Sequence, residues 1–214
     1  MPNNLPRQRA RAVPLLERVA FRTSRLAEFC GEKELVAQTG HAVEHWPLVI
    51  LKELVDNALD ACEEAQIAPE IDVSVSTETG DIVIADNAAG LPAETIAGVL
   101  DYTVRVSSWE AYVSPSRGRQ GYGLKCIVAI PFALDGQCGT TVIESRGQAH
   151  RILFEMDPVR REPRILREIG ASNVKIGTKI TVRWPETAYR AVYPDWNRAA
   201  VDAAVRRALR RGAR

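Results

Sequence analysis

From residue 47 to about 66, apolar residues recur at helical spacing. Leu51, Leu54, Val55, Ala58, Leu59 and Cys62 form one stripe, and Glu53, Asn57, Asp60 and Glu64 form a separate polar one. Pro47 suits a first helical position, so the pattern predicts one long helix. A shorter helix is predicted over 32–39, stopped at Gly40. Beyond 66 the period changes. Ile71, Val73 and Val75 alternate with polar residues, and the Thr79-Gly80 pair leads into Ile82-Val83-Ile84, which predicts a hairpin. Helices are predicted over 92–100 and, led by glycine, over 121–132. Strand-like runs follow near 140–145, 151–156 and 178–184. The stretch 197–211 predicts a closing helix with Val201, Val205, Ala208 and Leu209 on one side. Residues 1–20 hold three prolines among arginines and read as an arm; the polar stretch 101–120 reads as a long loop. The order helix, hairpin, helix, loop, helix and then several strands predicts an α+β fold with a largely antiparallel sheet.

Composition narrows the picture only at the ends. The 214 residues are 46% hydrophobic and 26% charged, ordinary for a globular chain able to bury a core. A net charge of +1 gives no global field toward a polyanion. The first 25 residues nevertheless carry Arg7, Arg9, Arg11, Arg18, Arg22 and Arg25 against Glu17 alone, and Arg206, Arg207, Arg210, Arg211 and Arg214 crowd the last stretch. Such ends are either solvated termini or contacts for nucleic acid or an acidic partner. Cys30, Cys62, Cys126 and Cys138 show no CxxC spacing, and His41, His45 and His150 are scattered, so no side-chain metal cage is expected. The first 30 residues lack a signal-peptide core and no run is long enough to span a bilayer. With unpaired thiols, this leads to an expected cytoplasmic location without membrane contact.

Three segments carry candidate chemistry. Glu53 and Asn57, four apart, project from one helix face. The Asn57 amide oxygen suits Mg²⁺, a hard cation that takes few protein ligands, and a carboxylate at Glu53 suits a general base acting on water. The same spacing also describes a plain solvated face. Asp86 ends the second strand in Asp86-Asn87-Ala88-Ala89-Gly90; an acceptor-only carboxylate there matches an exocyclic amine such as that of adenine, although these residue types also make ordinary turns. Arg117-Gly118-Arg119-Gln120-Gly121-Tyr122-Gly123-Leu124-Lys125 precedes an apolar helix, and its glycines would let backbone N–H groups approach a phosphate. A flexible loop is the other reading. A Walker loop is excluded because Leu124, Lys125 and Cys126 follow Gly123, and the dinucleotide fingerprint fails at Cys126.

Taken together, Glu-x-x-x-Asn, Asp-x-x-x-Gly after a strand, Arg-Gly-x-x-Gly-x-Gly-x-Lys and a late Gly177-Thr178 resemble the GHKL ATPase superfamily, which includes type II topoisomerase ATPase subunits, mismatch-repair ATPases, heat-shock chaperones and histidine kinases. The runs 52–61, 106–108 and 117–125 are similar to the ATPase domains of topoisomerase VI B subunits. The resemblance implies a Bergerat fold, a two-layer α/β sandwich with a mixed, mostly antiparallel sheet and ATP between the layers. It divides the chain into a basic arm (1–20), the ATP-binding domain (21–190) and a basic C-terminal helix (191–214). It implies Glu53 as catalytic base and Asn57 as Mg²⁺ ligand. Asp86 would accept from the adenine amine, with Gly90 and Thr178 beside it. Ser107, Ser108, Gly118, Gly121, Tyr122, Gly123, Leu124 and Lys125 would border the triphosphate, with 101–120 as a lid. Implied partners are ATP, a second copy in an ATP-dependent homodimer, a topoisomerase A-like or other DNA-processing subunit, and DNA.

Three departures stand out. Ala88 replaces the first glycine of the usual Asp-x-Gly-x-Gly, Trp109 replaces the lysine of Ser-Ser-Lys, and the sequence stops at Arg214, before the transducer domain that supplies a second lysine to the γ-phosphate. The expectation is ATP binding with slow turnover in this chain alone. Competing readings are a protein kinase of the histidine-kinase or anti-sigma type, and a non-catalytic ATP sensor. Histidine kinases generally lack the glutamate at Glu53, and anti-sigma kinases are shorter chains without basic ends.

Overall fold

The computed structural model describes residues 22–76, 79–105 and 122–185; the arm at 1–20, most of the 101–120 stretch and the closing helix at 197–211 lie outside the described residues. The chain opens with β1 (Arg22–Ser24), α1 (Leu26–Phe29), α2 (Glu32–Thr39), a 3₁₀ turn (Val43–His45) and α3 (Trp46–Glu64). Gly40 ends α2 at φ 70°, the left-handed conformation that a residue without Cβ adopts at no steric cost. Then come β2 (Ile71–Val75), β3 (Ile82–Asp86), α4 (Ala93–Val99), β4 (Thr103–Arg105) and α5 (Tyr122–Asp135). Four strands close the described chain: β5 (Cys138–Ser145), β6 (Gln148–Met156), β7 (Pro163–Ala171) and β8 (Thr178–Arg183). None of the described helices is long and apolar enough to cross a membrane.

The larger sheet has the order β2-β3-β8-β5-β6-β7, and each pairing within it is antiparallel, in keeping with the largely antiparallel α+β fold the residue pattern predicts; the parallel pairing of the mixed sheet that the resemblance implies is not among the described strands. The last strand is therefore inserted between the third and the fifth. Burial alternates strictly along β5, so one face of the sheet meets the helices and the other meets solvent. Ile82, Ile84, Ile143, Ile152, Phe154 and Val182 fill the covered face. Against them lies α3: of the stripe the periodicity predicts, Leu51, Leu54, Val55, Ala58 and Cys62 are buried and Leu59 only partly so, while Trp46 and Ile50, outside that stripe, are buried as well. Each of the Val, Leu, Ile and Phe side chains, fully buried, contributes about 1.5–3 kcal/mol. The run Cys126–Ile130 of α5 is buried on every side, which a helix apolar all round requires. At Gly139 the β5 backbone lies so close to α5 that an added Cβ would sit 2.3 Å from the Phe132 nitrogen.

Three elements depart from the sequence reading. Thr103–Arg105, inside the predicted loop, is a strand and pairs antiparallel with β1, Ser24 opposite Thr103. Three residues are too few to register as a period. α1, of four residues, is too short for the same reason. The edge strand β7 was unreadable as an alternation because Ile165 and Leu166 are adjacent and only one of its margins is paired.

His150, on β6, is 1% exposed and accepts a hydrogen bond from Arg167 Nε at Nδ1 (3.1 Å). Burial and the neighbouring guanidinium both hold its pKa below the ordinary 6.5. The unfolded chain therefore takes up this proton more readily than the folded one. The contribution to stability is complete above about pH 6.5 and is lost as pH falls from there through the depressed folded value. Thermal melts are expected to shift downward between pH 7 and pH 5, and His150→Asn, which keeps an acceptor without titrating, is expected to flatten that slope relative to the unsubstituted protein.

Candidate active site

One cleft of about 710 Å³ opens between α3, the end of β3 and the first turn of α5, within the size range of small-molecule sites. The whole polar stripe of α3 lines it: Glu53, Asn57, Asp60 and Glu64, with Leu54 and Ala58 between them. A helix that buries Leu54 and Ala58 must carry the residues beside them along the margin of the same contact, which is how the stripe reaches the cleft. Asn57 is exposed, and the Glu53 side chain is 38% exposed. Lys52 flanks them. Its ammonium lies 2.6 Å from Asp56 Oδ2 and 3.4 Å from Glu53 Oε1, and the hydrogen bond to Asp56 raises its pKa above the ordinary lysine value. Both pairs are exposed enough that each contributes at most about 1 kcal/mol.

The opposite end of the cleft is built by backbone. Asp86 closes β3, and its Oδ1 accepts hydrogen bonds from the backbone N–H of Ala88 (2.9 Å) and of Thr178 (3.1 Å). Among the described residues Oδ2 accepts none, so one oxygen orients the carboxylate and the other is open to a ligand donor. Burial pushes the Asp86 pKa above the ordinary carboxylate value, and the two backbone hydrogen bonds offset part of that rise. Thr178 is 6% exposed; its Oγ1 accepts from Leu91 N–H at 3.3 Å, leaving the hydroxyl proton to donate.

Two glycines permit this assembly. Gly177, at φ 75°, lies so close to the β3 end that a Cβ would fall 1.8 Å from the Asp86 carbonyl oxygen, and its N–H donates to Ala88 O at 2.9 Å. Gly90, at φ 79°, would bring a Cβ within 2.6 Å of Ser145 Oγ and 2.8 Å of Gly177 O. Ala88, by contrast, has no positive φ and is 2% exposed, so its methyl is accommodated without backbone strain. The departure from glycine at this position therefore leaves the turn intact.

At the α5 end, Gly123 and Leu124 line the cleft. A Cβ on Gly123 would stand 2.7 Å from Glu53 Oε2, so the glycine leaves room for that carboxylate beside the first turn of α5. Tyr122 opens the helix. Lys125 is not brought to the cleft. Its ammonium donates to the Asp101 carbonyl and lies over the Tyr102 ring, 5.4 Å from the centroid, and burial lowers its pKa. Ser107, Ser108, Gly118 and Gly121 lie outside the described residues. Sequence reading missed Leu91, Thr95, Val99 and Arg146, which also line the cleft. Arg146 and Gly147 form the two-residue turn between β5 and β6, and nothing local in the sequence marks that turn as facing a ligand.

Residues 42–188 match the family described as histidine kinase-, DNA gyrase B- and HSP90-like ATPases, a span that takes in the described cleft. The chain is 34% identical over 125 residues to the B subunit of type 2 DNA topoisomerase 6 from Archaeoglobus fulgidus, covering 56% of this chain and 21% of that one. The corresponding Methanosarcina barkeri protein is 34% identical over 127 residues (56% and 20%). That of Pyrococcus abyssi is 28% identical over 145 residues (65% and 26%). The chain thus spans only 20–26% of the length of these relatives.

Gly177→Ala is expected to destabilise the fold by about 3 kcal/mol or more in chemical denaturation, because backbone meets backbone there at a positive φ. Gly123→Ala is expected to behave in the opposite way. The clash falls on the far end of a flexible side chain and alanine favours a helix, so stability holds or rises by up to about 1 kcal/mol.

Proposed function

The chain belongs to the histidine kinase-, DNA gyrase B- and HSP90-like ATPase family, and on that footing we propose that it binds ATP with Mg²⁺ in the α3–β3–α5 cleft and hydrolyses it slowly. The observation that carries the reading is the convergence in one cleft of Glu53 and Asn57 from α3, Asp86 and Gly90 from the β3 turn, Thr178 from β8 and Gly123 from α5. The residues fit the ligand's chemistry. Asp86 Oδ2 is an open acceptor for an exocyclic amine, and the Thr178 hydroxyl retains a donor beside it. Gly123 leaves space at the first turn of a 14-residue helix, where unpaired N–H groups favour an anion.

In this reading Asp86 and Thr178 hold the base. The Asn57 amide oxygen holds Mg²⁺, which when bound supplies positive charge to the phosphate oxygens. Glu53 orients the attacking water and takes its proton, with Gly123 leaving it room to do so. Ser107, Ser108, Gly118, Gly121, Tyr122, Leu124 and Lys125 complete the phosphate side; Lys125 would have to release the Asp101 carbonyl to reach it. Slow turnover is part of the proposal, and what supports it is Trp109 after Ser107-Ser108, where the resembled family carries a lysine, so that one phosphate-side charge is lost to the transferred phosphoryl group. The relatives' printed names support a place in DNA transactions. We extend the proposal to a nucleotide-gated homodimer that works with a topoisomerase A-like subunit and, through its arginine-rich ends, with DNA.

Glu53→Gln is expected to lower the hydrolysis rate about 10²- to 10⁴-fold while ATP affinity by calorimetry stays close to that of the unsubstituted protein. Unchanged hydrolysis in that variant would remove Glu53 as the base. Phosphate retained on protein rather than released would make the chain a kinase, and ATP binding with no turnover at all would make it a sensor. Light scattering after size exclusion, with and without a non-hydrolysable ATP analogue, tests the gated dimer, which an unchanged monomer would overturn.

A further inference from the structure

Among the described residues Arg146 is the one cation of the cleft wall, and none of these roles uses it. It is the first of the two residues turning β5 into β6, at φ 50°, with Gly147 following at φ 79°. A two-residue turn with both φ values positive is the hairpin geometry that asparagine and glycine suit best and that a long side chain adopts against steric resistance. An arginine there is an unfavourable choice for the turn alone. The residue is exposed, but its side chain is held against the cleft wall: Nε donates to the Ala89 carbonyl at 3.2 Å, and Cγ lies 3.2 Å from where a Gly90 Cβ would be. Among the described residues the two terminal amino groups have no hydrogen-bond partner, and the residue lines the cleft. Its neighbours tie it to the Asp86 end. Ser145, one residue before it, sits opposite Thr178 in the sheet and donates to Gly177 O at 3.0 Å; Thr178 in turn donates its N–H to Asp86.

We propose that Arg146 is a base-contacting residue, whose guanidinium packs on the adenine moiety of the nucleotide rather than on its phosphates. This rests on the ATP reading of the cleft and deepens it. The Ala89 carbonyl fixes one edge of the planar group, leaving its face and its outer fork for the ligand. A guanidinium plane is suited to an aromatic base, on which it both stacks and acts as a cation. Glu53 and Gly123, where the phosphate side is assigned, belong to the α3–α5 margin, and no contact links Arg146 to either among the described residues.

Arg146→Asn gives the turn a residue it accepts readily and removes the cation. The test titrates adenosine (by NMR), ATP and inorganic tripolyphosphate (by calorimetry) into the unsubstituted and Arg146→Asn proteins, with a thermal melt of each without ligand. The expected result is a loss of adenosine and ATP affinity by a similar factor, about 3- to 30-fold, no change for tripolyphosphate, and a melting temperature equal to or above that of the unsubstituted protein. Adenosine affinity equal to that of the unsubstituted protein would overturn the proposal, as would a loss confined to ATP and tripolyphosphate, which would assign Arg146 to phosphate. A lowered melting temperature with parallel loss for all three ligands would make Arg146 a structural residue and also overturn it. Failure of the unsubstituted protein to bind either adenosine or ATP would instead remove the ATP reading, and this inference with it.

Discussion

Two turns of the chain meet at Gly177 more closely than any side chain permits, and the Asp86 end of the cleft follows from that approach. The β3 terminus and the turn leading into β8 are locked by the bond from Gly177 N–H to Ala88 O. The same contact brings Thr178 N–H to Asp86 Oδ1, which fixes that oxygen and leaves the second without a hydrogen-bond partner among the described residues. Gly90 then fits under Gly177 O and Ser145 Oγ. A half-buried carboxylate with a raised pKa is costly to place, and here its position is set by backbone groups that cannot rotate away. The constraint also sorts the neighbouring positions. Gly177 and Gly90 have contacts on the side where a Cβ would project, whereas at Ala88 the methyl is buried in ordinary packing, so the first glycine of the usual Asp-x-Gly-x-Gly is replaceable, while the second, Gly90, and the separate Gly177 are not.

The opposite margin of the cleft is of a different character. Glu53 and Asn57 are held by a helix whose apolar side is buried, but their own side chains are partly in water, with Lys52 and Asp56 alongside. Gly123 makes room for the carboxylate without gripping it. The Asp86 end is thus built from loop backbone, and the Glu53 end from adjustable side chains on two helices. Lys125 shows the same looseness: its ammonium rests on the Asp101 carbonyl just before β4, in surroundings that weaken its charge.

What the sequence disclosed follows from how locally each feature is encoded. The two stripes of α3 repeat within a single helix, so both the core face and the four polar cleft residues could be read directly. Asp86 through Gly90 and Gly177-Thr178 stood out as short motifs, and their order along the chain carried the family resemblance. Other features depend on partners distant in sequence. β1 and β4 are three residues each and exist through one another, across some eighty positions. β7 has no clean alternation. Arg146 faces the cleft only because Ser145 is registered against Thr178, a pairing no local window contains. The outward use of Lys125 was hidden for a similar reason: a glycine-led helix start gives the register of the helix, not the rotamer of a long side chain three residues on.

The strand order has a bearing on how such a site comes into being during synthesis. β2 and β3 form a hairpin from neighbouring residues, and β5 to β7 form a second set of consecutive strands, yet the two sets touch only through β8, which enters last and slots between β3 and β5. Until then β3 lacks its inner neighbour and Asp86 lacks the Thr178 N–H that orients it. A ribosome that has released α3, α5 and seven of the eight described strands has still not produced the finished cleft. Non-local closure of this kind is slow, and it leaves two unsealed sheet edges facing each other in the nascent chain, an interval in which intermolecular strand pairing competes with the final insertion.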